Sequence, residues 1–284
     1  MADIPILGGL GEIAGRYDAL LCDVWGVLHN GEAARPPAVA ALRRFRAQGP
    51  VILLSNAPRP ACDLLEQFSR VGVPADCYDA IMTSGMAARQ DLERRLAAGP
   101  VRMFHLGPER DRGVFDGLAV QLCAPDRADL ILCTGLFDDE CETPEDYRAL
   151  LRPLAEAGVV FLCANPDLKV QRGARLVYCA GALAALYEEL GGQVTYYGKP
   201  HRPIYDVTLA MASRLAGHSV AHPLAIGDGL KTDVVGANGV GIDVVFIADG
   251  VHGEDLGVLS TDSLARLFTQ AGAHAVGAMS ALMW

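Results

Sequence analysis

The chain has 284 residues, is 51% hydrophobic and carries a formal net charge of -10. That length suits one large domain or two modest ones with a sizeable core, and an acidic balance without a basic stretch argues against a nucleic-acid partner. No run reaches the roughly 18 apolar residues of a membrane span, and Met1-Ala2-Asp3-Ile4 lacks the basic and apolar regions of a secretory leader, so no membrane contact is expected and the compartment reads as cytoplasmic.

Strand-like apolar runs alternate with helical segments along the chain, the pattern of a parallel sheet covered by helices, so the fold class reads as doubly wound α/β. A strand over 17–24 leads through Pro36-Pro37 into a helix over 38–48, followed by a strand over 51–54, a helix over 59–71 and a short strand at 80–82. The alternation then restarts, with a helix over 86–98, strands over 101–106 and 129–133, a helix over 144–157, a strand over 159–163 and a helix over 180–190. After Gly191-Gly192 come strands over 194–197, 223–226 and 243–247, separated by helices over 202–216 and 231–239. The apolar stretch Ala271 to Trp284 reads as a packed tail or as the contact of a homodimer. The eight cysteines form no Cys-x-x-Cys pair, and Cys22, Cys133, Cys163 and Cys179 lie in apolar runs, as buried thiols of a reducing compartment do.

Four positions carry chemistry. Asp23 follows Ala19-Leu20-Leu21-Cys22, Ser55-Asn56 follows Val51 to Leu54, Lys199 follows Val194 to Gly198, and Asp228 follows Leu224 to Gly227. Each is a strand end, and in a parallel α/β sheet the strand ends collect on one edge, where ligands bind. A carboxylate there can attack a phosphoryl group and form an aspartyl-phosphate. Attack of one anion on another needs charge cancellation, which Mg²⁺ and a lysine provide. Asp228 and Asp233 would hold the cation, Lys199 would hold nucleophile and phosphoryl oxygens together, and Ser55 with its neighbouring N–H at a helix start would hydrogen-bond the phosphoryl group. Ser55 and Lys199 are far enough apart for a whole domain between them, so one sheet interrupted by an inserted domain of about a hundred residues is the economical reading.

Asp23-Val24-Trp25-Gly26-Val27-Leu28, Ser55-Asn56, Gly198-Lys199-Pro200 and Gly227-Asp228 with Asp233 resemble, in order, the four motifs of the haloacid dehalogenase-like (HAD) hydrolase superfamily. Thr83-Ser84-Gly85 and Asn165-Pro166-Asp167 are similar to the class IIA members, whose large α/β cap lies between the second and third motifs. The resemblance implies a core over 1–85 and 193–284 and a cap over 86–192. It also implies a Mg²⁺-dependent phosphohydrolase of small phosphorylated metabolites, with Asp23 and Lys199 catalytic and the metal held by Asp23, the Trp25 carbonyl, Asp228 and Asp233. Ser55, Asn56, His29, Asn165 and Asp167 are the candidate substrate-binding residues.

One departure matters. The family pattern is Asp-x-Asp, and Trp25 stands where the general acid and base is expected; an indole N–H does neither job near neutral pH. The alternative function is therefore a phosphate- and metal-binding or regulatory protein with weakened catalysis. His29, in the loop after the nucleophile, is a candidate substitute acid, against the plainer reading of a loop histidine. Asn165 and Asp167 face the substrate or build an Asn-Pro turn, and the Trp25 ring is expected to pack on the pocket floor. Gly9, Gly11 and Gly15 invite a dinucleotide reading, but their spacing departs from Gly-x-Gly-x-x-Gly and no strand precedes them.

Overall fold

Uninterrupted apolar runs form the strands of the first sheet, as burial on both faces requires. The structure, a computed structural model, describes residues 4–172, 175–250 and 259–284; Met1 to Asp3, part of the leader reading, lie outside the described residues. In chain order the first strands are β1 (Ala19–Asp23), β2 (Val51–Ser55) and β3 (Ala80–Thr83), joined by helices α1 (Pro36–Phe45) and α2 (Ala61–Val71). The middle of the chain holds α3 (Ser84–Ala98), β4 (Arg102–Leu106), β5 (Gln121–Leu122), β6 (Leu130–Cys133), α4 (Arg148–Glu156), β7 (Val160–Cys163), β8 (Lys169–Arg172), β9 (Arg175–Tyr178), α5 (Ala180–Glu189) and β10 (Val194–Tyr196). The last part adds α6 (Arg202–Ala216), β11 (Pro223–Gly227), α7 (Val235–Gly239), β12 (Asp243–Ile247), α8 (Thr261–Ala271) and β13 (Gly277–Met279).

The chain divides into two compact units. The first comprises Met1–Ser55, Cys62–Met82 and Lys199–Trp284. Its sheet runs β13-β12-β11-β1-β2-β3, with β1 parallel to both β11 and β2. Leu20, Leu53, Leu224 and Val245 are fully buried at its centre. Pro36 and Pro37 open α1, where a missing N–H is no loss, and α6 stops at Gly217, whose φ of 73 closes the helix in the left-handed conformation.

The C-terminal stretch is a packed tail. β13 joins the sheet edge parallel to β12, and Leu10 N–H donates to the Met283 carbonyl. Gly9 and Gly11 lie where a Cβ would press on the Trp284 backbone and indole respectively, so these glycines serve close packing. Among the described residues no helix is long and apolar enough to cross a membrane.

The second unit comprises Asn56–Ala61 and Thr83–Gly198. Its parallel sheet has the order β10-β7-β6-β4-β5, and the antiparallel pair β8–β9 stands apart from it. Phe161, Leu183 and Tyr187 form part of its own core. Here the structure departs from the sequence reading, which gave 193–197 to the core sheet. β10 pairs with β7, Tyr196 opposite Cys163, and so belongs to the second sheet. An apolar strand has the same alternation in either sheet, so its partner was not legible locally. The helix expected over 144–157 is a 3₁₀ turn (Pro144–Tyr147) followed by α4, and that over 231–239 begins as a π-helical turn (Leu230–Val234) followed by α7.

Candidate active site

Asp23 is the last residue of β1, and Asp228 is the first residue after β11. These strands are parallel neighbours with Cys22 opposite Ile226, so their carboxyl ends place the two acids side by side. The π-helical turn after Asp228 brings in Asp233, whose backbone N–H donates to the Gly229 carbonyl at 2.8 Å and whose Oδ2 accepts from Gly229 N–H at 3.0 Å. Gly227 has no Cβ because one would overlap the Asp233 carboxylate. The three acids are buried and present oxygens all within 4.8 Å of one another.

Lys199 reaches the same point from the start of the returning segment of the first unit. Its ammonium donates to Asp23 Oδ1 at 2.5 Å and to Asp233 Oδ1 at 2.6 Å, and the side chain is 4% exposed. Contrary to the sequence reading, it is not carried by a strand of the sheet that holds Asp23, because the strand preceding it belongs to the other unit. Burial alone disfavours its charge, but Asp23 and Asp233 outweigh that and hold the amine protonated well above its ordinary range. Burial pushes Asp23 upward, reinforced by Asp233 and Asp228 and opposed by Lys199. Three carboxylates facing one ammonium leave a formal charge of -2, so the cluster as it stands is short of positive charge. Hard oxygen donors with that deficit fit Mg²⁺, which takes one or two carboxylates and keeps several waters.

Two glycines shape this cluster: Gly26, in the turn that the sequence reading placed behind Asp23, and Gly250, which that reading did not include. Gly26 has a φ of 81, and a Cβ there would overlap Asp228 Oδ2; a Cβ on Gly250 would overlap the same atom. Gly250 follows the end of β12, which neighbours β11, so the strand-end argument applied to β12 would have found it.

The remaining candidates separate. Ser55 ends β2 one residue past Leu54, the register partner of Asp23, and so lies at the same edge. It does not stand at a helix start, since α2 begins only at Ala61. Asn56, Asn165 and Asp167 belong to the second unit and meet each other there: Asn56 Nδ2 donates to Asp167 Oδ1 at 2.9 Å, and the Asp167 N–H donates to Asn165 Oδ1 at 3.0 Å.

His29 does not project from a loop. It is 1% exposed and sits edge-on to the rings of Trp25 and Phe68, at 5.6 and 5.9 Å between centroids. Its Nδ1 accepts from Gly31 N–H at 3.0 Å, which puts the ring proton on Nε2, and burial holds its pKa below the usual histidine value. Trp25 is not a floor residue either: it is 45% exposed and lies over Gly31, where a Cβ would overlap its ring. The imidazole fills the interior position, and the larger indole covers it from outside.

The family pattern described as haloacid dehalogenase-like hydrolase matches residues 20–121, and a second, HAD-hydrolase-like pattern matches residues 196–265. A crystallised hydrolase of the haloacid dehalogenase-like family from Brucella suis 1330 is 45% identical, with a TM-score of 0.82, covering 98% of this chain and 100% of that one. Ribonucleotide monophosphatase NagD of Escherichia coli is 26% identical over 239 residues, 83% of this chain and 89% of its own length. The D-glycerol 3-phosphate phosphatase of Mycobacterium tuberculosis is 28% identical over 250 residues, 85% of this chain and 65% of that one.

Proposed function

The chain belongs to the haloacid dehalogenase-like hydrolases and is a phosphatase of that family, and we propose that it hydrolyses small phosphorylated metabolites through a phosphoenzyme on Asp23. What carries this reading is the meeting of Asp23, Asp228, Asp233 and Lys199 at one buried point. One Asp23 oxygen attacks phosphorus, a new O–P bond forms and the ester P–O bond breaks. Water then attacks the aspartyl-phosphate and releases inorganic phosphate. Lys199 neutralises Asp23 and the incoming phosphoryl oxygens, and the Ser55 hydroxyl donates to one of them. Asp23, Asp228, Asp233 and the Trp25 carbonyl would hold Mg²⁺, which supplies the charge that lets two anions approach. The unit that includes 83–198 is proposed to serve as the cap that selects the substrate.

With Trp25 at the acid position, the leaving group departs without a proton from that side chain. Aryl and acyl phosphates, whose leaving groups are stable anions, are the favoured class. The exposed indole and the buried, neutral His29 also support a second reading, a phosphate- and metal-binding protein of weak turnover. A screen of phosphorylated metabolites with and without Mg²⁺ tests the first reading. Mg²⁺-dependent phosphate release from at least one substrate is expected; Mg²⁺-dependent phosphate binding without turnover would select the second.

A further inference from the structure

Trp25 stands two residues beyond the end of β1, and its backbone is held at the acidic cluster from both sides. Asp23 before it accepts from Lys199, and Gly26 after it lies where a Cβ would overlap Asp228 Oδ2. Adjacent Cα atoms are about 3.8 Å apart, so Trp25 is carried at the rim of that cluster. The turn around it is closed by Leu28 N–H on the Val24 carbonyl and by Gly26 N–H on the His29 carbonyl, at 2.9 Å each.

The indole is fixed and yet uncovered. His29 meets it edge-on at 5.6 Å and is itself braced by Phe68 at 5.9 Å. Gly31, with a φ of 91, leaves room for the far edge of the ring, where a Cβ would overlap Cη2. His29 Nε2 is buried without a hydrogen-bond partner among the described residues, an arrangement that lowers stability. A polar ring and a strained backbone position thus support an indole that still keeps 45% of its surface exposed. A tryptophan held from the inside and open on the outside offers a flat π-face to a ligand.

We propose that the open face of Trp25 stacks on the leaving group of the substrate, and that this group is a planar aromatic ring. The proposal rests on the phosphatase reading and deepens it. With Asp23 attacking from the buried end, in-line displacement puts the leaving group on the far side of phosphorus, beyond the strand end where Trp25 stands. Two independent requirements then converge on one substrate class. Without a side-chain acid at position 25 the leaving group must be stable as an anion, which an aryl oxide is, and an aryl ring is also what an indole face stacks on.

The test measures binding of phenylphosphonate and cyclohexylphosphonate, two probes of similar size with a flat and a puckered ring, by calorimetry in Mg²⁺. Wild type, Trp25→Phe and Trp25→Leu are compared, each checked for folding by circular dichroism. The preference for phenyl over cyclohexyl is expected to fall about 2- to 10-fold in Trp25→Leu, and by less in Trp25→Phe, which keeps a ring. An unchanged preference in Trp25→Leu would overturn the proposal, as would failure of wild type to bind either probe. Fluorescence gives a second readout that needs only the milder variant, since the chain has two tryptophans. Phenylphosphonate should change the emission of wild type and leave that of Trp25→Phe, which retains Trp284, unaltered; the same change in both would count against stacking on Trp25. Phosphonates have no ester bond to hydrolyse, so these outcomes decide the stacking whether or not the chain turns substrates over. Absence of phosphate release from aryl phosphates would sink the phosphatase reading instead.

Discussion

The ammonium of Lys199 lies 2.5 Å from the carboxylate of Asp23, although 176 positions separate them in the chain. The pair is buried, and the same ammonium also serves Asp233, so the carboxylate proposed as nucleophile is held in one orientation. Asp23→Asn keeps the shape of the side chain and removes its nucleophilic oxygen. Turnover is expected to fall by roughly 10⁴- to 10⁶-fold, with the fold intact by circular dichroism. Wild-type rates in this variant would remove Asp23 from the attacking role.

The acidic cluster predicts a linkage between metal and stability. Its carboxylates outnumber its ammonium, so Mg²⁺ bound there as proposed would relieve repulsion in the folded chain alone and should add about 2.7 kcal/mol of stability at a hundred times its Kd. Gly26→Ala forces a Cβ into Asp228 Oδ2 from a backbone with a φ of 81. The concentration of Mg²⁺ giving half-maximal thermal shift should rise about 10- to 100-fold in this variant. An unchanged midpoint would show that Asp228 does not hold the cation.

Much of this site was legible because its carriers are local. An apolar run closed by Asp reads as a buried strand with a carboxylate at its mouth, and Asp23 and Asp228 need no further context. Lys199 was found by the same reasoning although its strand belongs to the other sheet: periodicity reports that a strand is buried, never which strand lies beside it. The inversion of Trp25 and His29 was not legible, because which ring enters the interior depends on Phe68, far along the chain in α2. The bond between Asn56 and Asp167 spans 111 positions and leaves no periodic signal. Gly9 and Gly11 acquire their meaning only from Trp284 at the opposite end of the chain.

His105 gives the second unit a defined response to acid. Its Nε2 is 2.9 Å from Thr134 Oγ1 and its ring packs edge-on against Phe115. Burial, with a smaller contribution from Arg112, lowers its pKa to about 4. In the unfolded chain it titrates near 6.5, so between these values protons bind the unfolded form more readily. Its contribution is fully present above about pH 6.5, drains as pH falls toward 4, and amounts to about 3 kcal/mol. The stability advantage of wild type over His105→Asn in urea should therefore shrink between pH 7.5 and pH 4.5. A constant difference across that range would show that His105 does not titrate in this way.

Trp25 decides between enzyme and binding protein. With no carboxylic acid at this position an alkoxide leaving group departs unprotonated, and a missing general acid lowers such rates by about 10²–10⁴-fold. Aryl phosphates leave as stabilised anions, so kcat/KM should favour them strongly over alkyl phosphates. His29 is not expected to repair the deficit: it is 1% exposed, its Nδ1 accepts from Gly31 N–H, and burial lowers its pKa below the usual histidine value. His29→Ala should accordingly lower thermal stability by about 1–3 kcal/mol through lost packing between Trp25 and Phe68, while the ratio of alkyl to aryl rates stays as in wild type. Trp25→Asp is tolerable because the indole is 45% exposed. A carboxyl group at this position should raise the alkyl phosphate rate selectively. The measurement is kcat/KM for a matched alkyl and aryl pair in wild type, Trp25→Asp and His29→Ala. A selective loss of alkyl activity in His29→Ala would restore the imidazole as the acid. Fast alkyl hydrolysis by wild type that neither substitution alters would require a proton donor elsewhere in the chain. If wild type turns over neither substrate but binds inorganic phosphate with Mg²⁺, and Trp25→Asp gains turnover, the indole is what makes this chain a binding protein.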